Sequence, residues 1–280
     1  MEKKLTREHI QSFYTWLKTE EKSKNTIEKY IRDVSAFIKY LGNVSVTKDK
    51  VIEYKTKLID EEYAVRSINS MLASLNSLFT FLGWHDLKVK SIKLQNQIYC
   101  SEEKELTKAE YLRLVNTAKQ NGNKRLNLLI QTICATGIRV SELRYITLEA
   151  VRRGTAVVSL KGKTRPVLII CELQKKLLRY ATEQQITSGA IFITRNGKPM
   201  SRINIWKEMK NLCKEAGVNP CKVFPHNLRH LFARTFYGIE KDIAKLADVL
   251  GHSSINTTRI YIVTTGDEHR KKLESMRLII

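Results

Sequence analysis

Six side chains beyond residue 135 have types and spacings that suit the binding of an anion and proton transfer beside it. They comprise two arginines, two histidines, a lysine and a tyrosine, which are Arg139, Lys163, His226, Arg229, His252 and Tyr261. A guanidinium group binds phosphate or carboxylate oxygens through a planar fork of donors, and an imidazole exchanges protons near neutral pH. The residue types therefore indicate a site for a phosphate-like group, although each segment alone is a common pattern.

The first segment covers residues 135–143 and reads A-T-G-I-R-V-S-E-L. Arg139 follows a glycine turn and begins a predicted helix, where its guanidinium can point at a phosphate beside the helix N-terminus. Glu142 lies three residues further on, on the same helical face, and could hold Arg139 in place. An ordinary surface ion pair would give the same pattern, and for this segment alone it is the favoured interpretation.

The second segment, P-H-N-L-R-H, predicts a helix that begins near Pro225. His226 and Arg229 are three residues apart in it, so both lie on one face of the helix. An imidazole beside a guanidinium is unfavourable unless an anion lies between them. The H-x-x-R pattern is nevertheless too short to be specific by itself.

The remaining candidates are His252 in L-G-H, Tyr261 in T-T-R-I-Y and Lys163 at the tip of a predicted hairpin. Taken separately, each has a more common structural explanation. A histidine after a glycine turn is often a capping residue, and a tyrosine at a helix end is usually packed against the core. A lysine at a hairpin tip is usually solvated.

Together and in this order, the segments resemble the active-site motifs of the tyrosine recombinase (phage-integrase) family. The likeness spans most of residues 107–265 and rests on six matches: Arg139, Lys163, His226, Arg229, His252 and Tyr261. The sequence looks like that of a compact two-domain Xer- or integrase-like member. The first hundred residues resemble the core-binding domain of that family in their helical periodicity rather than in any motif.

The resemblance implies that Tyr261 is a nucleophile that attacks a DNA phosphodiester, which gives a 3′-phosphotyrosyl link and a free 5′-hydroxyl. Arg139 and Arg229 would bind the phosphate, whose negative charge increases in the transition state. The same reaction run backwards, with a hydroxyl from another strand, would reseal the DNA. Such an enzyme integrates, excises or resolves DNA.

The resemblance also implies proton transfers at both ends of the reaction. His226 is the candidate acceptor of the phenol proton, and Lys163 would protonate the leaving 5′-oxygen. His252 would donate a hydrogen bond to a phosphate oxygen, and Glu142 would support Arg139. No metal ion or nucleotide cofactor is expected, because side-chain cations neutralise the phosphate and the covalent link conserves the bond energy.

Double-stranded DNA is the expected partner, with a dimer of the chain at each site and a synaptic tetramer. The C-terminal segment resembles a short basic helix with an apolar tip at residues 278–280. In this family such a segment often docks on a neighbouring subunit. Truncation after Lys272 is therefore expected to prevent assembly of the tetramer.

The elements before the candidate site read as an N-terminal helical domain over residues 1–90. Apolar residues recur at helical spacing in four stretches, around residues 10–17, 27–41, 51–59 and 68–82. Residues 91–105 lose this periodicity and are predicted to be a linker. The first domain is predicted to be a four-helix, core-binding domain that contacts DNA.

A second domain is predicted over residues 106–280, mainly helical with a small sheet, as a mixed α+β catalytic domain with a C-terminal tail helix. Thr107 and Glu110 form a capping-box pattern that begins its first helix. β-branched runs at 156–160 and 165–170 flank K-G-K-T, which predicts a hairpin. A further helix is predicted from Leu173, a short strand at 191–194 and a turn at 196–197.

The charge composition indicates a nucleic-acid partner, and the cysteine content indicates a reducing compartment. Lys and Arg number 49 against 28 Asp and Glu, which gives a formal net charge of +21. The five cysteines are scattered without a C-x-x-C pair, which argues against a disulfide framework or a zinc site. With no signal-peptide pattern at residues 1–11, a cytoplasmic protein that associates with the nucleoid is expected.

Two other functions would also fit the motifs. A type IB topoisomerase-like enzyme shares the nicking chemistry but relaxes supercoils without exchanging strands. A non-catalytic DNA-binding protein could keep the fold, although it would be expected to lose at least one of the six positions. Among the recombinase roles, the sequence leaves open a mobile element, chromosome-dimer resolution and an invertible switch, and residues 257–269 slightly favour a mobile element.

Overall fold

The computed structural model describes residues 3–93, 105–160, 163–261 and 274–276, without the side chains of Leu160 and Lys163. It divides into two compact units, Met1–Asn96 and Gln97–Ile280, and each unit has its own buried apolar core. The described residues are mostly helical and contain one small sheet. The predicted fold class is therefore confirmed.

Within residues 3–93 the chain folds into four α-helices and a short 3₁₀ helix at His85–Leu87, because apolar residues recur at helical spacing and hydroxyl side chains cap three of the α-helix starts. Thr6, Ser23 and Thr47 each accept a hydrogen bond from a backbone N–H in the first turn of the following helix. The helices are α1 (Arg7–Thr19), α2 (Lys24–Leu41), α3 (Lys48–Asp60) and α4 (Val65–Phe81).

One buried polar group lies inside the helical core of the first unit. Asp33 of α2 is 3% exposed, and its carboxylate accepts hydrogen bonds from Lys29 Nζ and from Ser74 Oγ, the latter at 2.8 Å. Burying a carboxylate without partners would be costly, so this network makes Asp33 compatible with the core. The network links α2 to α4 and has no feature of a catalytic site.

The second unit is also built mainly of helices, and its first helix begins at the predicted capping box. Thr107 Oγ1 accepts from the backbone of Glu110, and the Glu110 carboxylate accepts from the backbone N–H of Thr107 at 2.8 Å. The helices are α5 (Lys108–Gln120), α6 (Lys124–Thr136), α7 (Leu148–Arg153), α8 (Cys171–Glu183), α9 (Arg202–Glu215), α10 (Pro225–Glu240), α11 (Ile243–Leu250) and α12 (Ile255–Arg259).

The sheet is an antiparallel hairpin of β1 (Thr155–Leu160) and β2 (Lys163–Leu168), the only named strands among the described residues. Pro166 pairs with Val157, and it can be accommodated because a two-stranded sheet has an open edge beside each strand. The strand predicted at 191–194 is wrong. This segment makes one isolated bridge, between Ile193 and Pro199, because the described residues supply no neighbouring strand to extend it.

The core of the second unit lies mainly between α5, α6, α8, α9 and the hairpin. A smaller apolar cluster joins α10 and α11 to the segment after α12, and it contains Ala233, Leu246, Leu250 and Tyr261. Across the ranges that the structure describes, no helix combines the length and apolar character needed to cross a membrane.

Candidate active site

The Arg139 segment turns sharply where α6 ends. Gly137 caps α6 in the left-handed conformation (φ +61°), and a Cβ atom there would lie 2.6 Å from Phe232 Cε1 of α10. Only glycine therefore fits both the backbone angle and the close approach of α10. Arg139 then precedes a 3₁₀ helix at Val140–Tyr145, where the sequence predicted a helix.

Glu142 is the buried anion that orients this segment. Its side chain is 1% exposed, and its carboxylate accepts hydrogen bonds from Arg139 N (2.9 Å), Arg139 Nη1 (3.0 Å) and Arg165 Nη2 (2.8 Å). Burial alone would raise the pKa of Glu142, but the backbone hydrogen bond from Arg139 and the charges of Arg165 and Arg139 outweigh burial and lower it. Glu142 is therefore ionised at neutral pH.

Arg229 lies on α10, which begins with Pro225 at its first position as predicted. Its side chain is almost fully buried, at 1% exposed. Nη1 donates to the carbonyl oxygen of Gly137, and Nη2 donates to that of Leu250 at 2.8 Å. Burial, and then the charge of Arg139, lower the pKa of Arg229 to about 10, so the guanidinium remains protonated at neutral pH.

His252 follows the left-handed cap Gly251 at the end of α11. Its Nε2 lies 3.0 Å from Arg229 Nη2, and its Nδ1 lies 2.8 Å from Thr258 Oγ1. Because a guanidinium can only donate, Nε2 must accept, so the ring proton sits on Nδ1 and is donated to Thr258. Burial and the nearby charges of Arg229 and Arg139 lower the pKa of His252 to about 4, in agreement with a neutral ring.

Tyr261 follows α12 and is 3% exposed. The phenol lies near the Arg229 guanidinium and raises the pKa of Arg229 against the effect of burial. Three imidazole rings surround the phenol ring, with centroid distances of 5.7 Å for His226, 4.3 Å for His230 and 5.5 Å for His252. The tyrosine is thus held at the centre of a cluster of cations and imidazoles.

His226 is exposed at the start of α10, four residues before His230. Loss of hydration in the site, and then the charges of Arg229 and Arg139, lower the pKa of His226. A neutral imidazole has a free lone pair, so His226 can accept a proton at neutral pH.

Sequence reasoning assigned no role to His230, although the letters H-N-L-R-H contained it. Its ring packs closest to Tyr261 among the three histidines, and burial, and then the charges of His226 and Arg234, lower its pKa to about 4. Its Nδ1 is buried and has no hydrogen-bond partner in the described part of the chain. The i, i+4 spacing from His226 was the available signal, because it places both rings on one helical face.

The structure brings five of the six predicted residues together, and Glu142 with them: Arg139, His226, Arg229, His252 and Tyr261. The sixth, Lys163, is the first residue of β2 and pairs with Leu160, and its side chain lies outside what the structure describes. Residues 262–273 and 277–280, which hold most of the predicted tail, are also outside the described residues. The assembled groups form a receptor for an anion beside a buried phenol.

This fold, with arginines and histidines around a tyrosine, defines a class of DNA-joining enzymes. Residues 104–267 match the Phage integrase family, and residues 10–86 match the Phage integrase, N-terminal SAM-like domain, so the chain belongs to the phage integrase family. It is a tyrosine-type site-specific DNA recombinase. The family resemblance and the function predicted from the motifs are therefore confirmed.

Relatives match over nearly the whole length. Tyrosine recombinase XerA of Pyrococcus furiosus is 30% identical over 99% of this chain and 97% of that protein. Tyrosine recombinase XerA of Pyrococcus horikoshii is 32% identical over 96% of this chain and 94% of that protein. In fold, the chain is similar to a crystallised lambda integrase dimer bound to a COC′ core site, with a TM-score of 0.74 at 18% identity over 92% of this chain and 95% of that one.

Proposed function

We propose that this recombinase cuts and rejoins double-stranded DNA with Tyr261 as the nucleophile. Arg139 and Arg229 bind the scissile phosphate, and the phenol oxygen of Tyr261 bonds to phosphorus while the bond to the 5′-oxygen breaks. His226 accepts the phenol proton, and Lys163 gives a proton to the leaving 5′-oxygen. Religation reverses each transfer with a 5′-hydroxyl from the partner strand.

The observation that carries this proposal is the burial of Tyr261 beside Arg229 and three imidazole rings. The Arg229 guanidinium is 1% exposed, and Tyr261 is 3% exposed. A cation near the phenol oxygen stabilises negative charge there, and a phosphate bound to the same guanidinium would lie close to that oxygen. A tyrosine buried only for packing would not need a buried cation beside it.

The role of His252 in this proposal requires a change of protonation. Without DNA its Nε2 accepts from Arg229, so it cannot donate to a phosphate oxygen at the same time. A phosphate bound between Arg139 and Arg229 adds negative charge beside the ring, and this favours a second ring proton. In the DNA complex His252 is then an imidazolium whose Nε2 donates to the phosphate, while Nδ1 keeps its bond to Thr258.

Glu142 has a supporting role in the proposal, because its carboxylate accepts from both the backbone N–H and the guanidinium of Arg139. The division into a DNA-binding domain at 1–90, a linker at 91–105 and a catalytic domain at 106–280 belongs to the same proposal. The net charge of +21 supports duplex DNA as the partner. A DNA partner in turn gives the nucleoid, within the cytoplasm, as the proposed place of action.

The proposed assembly is a dimer on each recombination site and a tetramer at synapsis. Its support is the lambda integrase structure, which is a dimer bound to a core site. A sedimentation measurement on site DNA tests it with the chain truncated after Lys272 beside the full chain. Loss of the tetramer in the truncated chain is expected, and an unchanged tetramer would rule out the proposed docking of the tail.

The first test is covalent trapping. Fragmented source DNA is incubated with wild-type protein or Tyr261→Phe in EDTA, and the DNA that remains attached after denaturation is sequenced. The recovered site is then rebuilt as a nicked duplex that cannot be religated. Wild type is expected to give a slowly migrating, protease-sensitive DNA band without divalent metal, and Tyr261→Phe is expected to bind the duplex and give no band.

A covalent band from Tyr261→Phe, or none from wild type despite tight binding, would contradict the assignment of Tyr261. A plasmid with two copies of the recovered site tests strand exchange directly. Rearranged product is expected, whereas relaxation without rearrangement would indicate the topoisomerase-like activity.

A further inference from the structure

Arg165 of β2 is a largely covered cation outside the set of residues assigned to the reaction. Its side chain is 14% exposed, although most arginines in a two-stranded hairpin would face solvent. Nη2 pairs with the buried carboxylate of Glu142 at 2.8 Å, and Nη1 donates to the backbone carbonyl oxygen of Val249 at 2.9 Å. One guanidinium thus connects the hairpin to two other segments of the site.

Both of those segments carry residues that surround the phosphate site. Glu142 also binds the backbone and guanidinium of Arg139. Val249 directly precedes Leu250, whose carbonyl oxygen accepts from Arg229. Arg165 therefore shares the partner Glu142 with Arg139. It also binds the residue next to the one that accepts from Arg229.

Gly251 makes room for the stem of Arg165. A Cβ atom at position 251 would lie 2.5 Å from Arg165 Nε, closer than any real side-chain contact. The absence of a side chain at Gly251 therefore allows the arginine to lie flat against the turn before His252. The left-handed backbone there (φ +66°) also favours glycine, so both constraints act at one position.

The position of Arg165 in the strand gives this contact a consequence for catalysis. Lys163 begins β2 two residues earlier, so about 7 Å of extended backbone separates the two positions. Arg165 pairs with Val158 and Lys163 pairs with Leu160 in the same ladder. Fixing the strand at Arg165 therefore limits where the end of the hairpin that carries Lys163 can lie.

We propose that Arg165 is a positioning residue that holds the lysine end of the hairpin in register with the arginine and tyrosine side of the site. The inference rests on the proposed function, because it assumes that Lys163 protonates the leaving 5′-oxygen. Its distinct content is that loss of Arg165 impairs this proton transfer more than it impairs phosphate binding or attack by Tyr261.

The test compares two leaving groups in single-turnover cleavage of the duplex recovered by trapping. One duplex has the normal 5′-oxygen at the scissile position, and the other has a bridging 5′-sulfur. A thiolate leaves without a proton because thiols are far more acidic than alcohols, so the sulfur duplex bypasses the need for a general acid. Arg165→Met, which keeps an apolar stem against Gly251, is compared with Lys163→Met and wild type.

Lys163→Met is expected to cleave the oxygen duplex about 10²- to 10⁴-fold more slowly and the sulfur duplex at close to the wild-type rate. Arg165→Met is expected to show a smaller loss of the same kind. Its cleavage rate should fall about 10-fold or more on the oxygen duplex and return close to the wild-type rate on the sulfur duplex. Arg153→Met, an exposed arginine of α7, is the matched control and should cleave both duplexes normally. Arg165→Lys keeps the charge near Glu142 and should lie between wild type and Arg165→Met.

The outcomes separate the two claims. If Lys163→Met is equally slow on both duplexes, Lys163 is not the proton donor, and the proposed function fails at that step. If Lys163→Met recovers on sulfur while Arg165→Met and Arg165→Lys stay equally slow on both, Arg165 has only a structural role and the inference is overturned. Melting temperatures of all variants identify any loss that comes from unfolding, and Arg165→Lys then decides the result.

Discussion

At His252 the two ring nitrogens have different partners, and the partner of Nδ1 decides which nitrogen can meet Arg229. Thr258 Oγ1 is buried and is placed to accept the Nδ1 proton. Without that acceptor the proton could move to Nε2, where it would face the donors of Arg229. The hydroxyl of Thr258 thus sets the tautomer of His252. It does so from Nδ1, whereas the other ring nitrogen, Nε2, faces Arg229.

Thr258→Val tests this control because it replaces the hydroxyl with a methyl group of similar size. Leaving the Nδ1 proton without an acceptor is expected to lower the free energy of unfolding by about 1–3 kcal/mol. The ¹⁵N chemical shifts of the His252 ring should also report a changed tautomer. Thr257→Val, at the exposed neighbouring position, is the control and should change neither quantity. A Thr258→Val protein with wild-type stability and wild-type ring shifts would refute the assignment.

The histidine cluster also predicts how stability depends on pH. The pKa values of His230 and His252 are both lowered to about 4, whereas an unfolded histidine titrates near 6.5. Between these values the unfolded chain binds more protons than the folded one, so the free energy of unfolding falls as pH falls from about 7 toward 4. The slope is at most about 1.4 kcal/mol per pH unit for each histidine.

Urea unfolding between about pH 7 and pH 5 checks this dependence above the range in which most carboxylates titrate. The doubly substituted protein His230→Asn/His252→Asn should show a clearly shallower slope than wild type. An equal slope in both proteins would show that these two histidines do not titrate abnormally in the folded state.

At the residue scale, the sequence predicted the types that meet at the site but not the contacts that hold them. Arg229 was recognisable from its motif, yet its bonds to the carbonyl oxygens of Gly137 and Leu250 join positions far apart in the chain. Arg165 gave no signal, since a lone arginine in a hairpin is usually solvated. Local spacing shows which residues share a helix face, whereas contacts between distant segments depend on packing.

At the element scale, α6 and α10 approach each other closely beside the site. Gly137 ends α6 with a positive φ, and Phe232 of α10 fills the space where a side chain would be. The carbonyl oxygen of the same glycine accepts from Arg229. The packing of two helices and the position of the arginine proposed to bind phosphate therefore depend on one residue.

Gly137→Ala is expected to destabilise the protein by two separate effects. The left-handed backbone costs about 1 kcal/mol for alanine, and the overlap with Phe232 adds about 1–3 kcal/mol. Gly197→Ala is the matched control, because Gly197 also has a positive φ (+72°) but no atom within 4 Å of the added Cβ. Urea unfolding should show the larger loss for Gly137→Ala, and single-turnover cleavage should fall only in that variant. Equal losses would mean that Phe232 and α10 can move away from position 137 without cost.

Elements defined by local signals were predicted well, and elements that depend on a partner were not. The capping box at Thr107 and the helix stripes were visible because both depend on residues a few positions apart. The segment 191–194 has strand-like residues but finds no partner strand among the described residues. Propensity describes what a segment tolerates, whereas the rest of the chain decides what it forms.

At the scale of the whole molecule, two separate apolar cores were predictable because the helical stripes stop near residue 82 and resume after residue 106. The charge is divided unequally between the corresponding parts. Residues 1–100 hold 17 basic and 12 acidic side chains, and residues 101–280 hold 32 and 16. Most of the attraction to a polyanion is therefore expected to come from the second part.

This imbalance predicts a strong and unequal dependence of DNA binding on salt. Each phosphate that a lysine or arginine neutralises releases a condensed counterion, so the logarithm of the affinity falls linearly with the logarithm of the salt concentration. With six to ten phosphate contacts the affinity would drop about 10³- to 10⁵-fold between about 50 and 200 mM salt. The Tyr261→Phe protein is the appropriate form for this measurement, because it is expected to bind without forming a covalent link.

Fluorescence anisotropy with a labelled duplex gives the slope for full-length Tyr261→Phe and for residues 105–280 with the same substitution. The fragment contains the larger apolar core and is expected to keep well over half of the slope, even if its absolute affinity is lower. A fragment slope near zero would place the main phosphate contacts in the first hundred residues, against the distribution of charge. A shallow slope in the full-length protein would instead show that base contacts and shape, rather than the net charge of +21, dominate its binding.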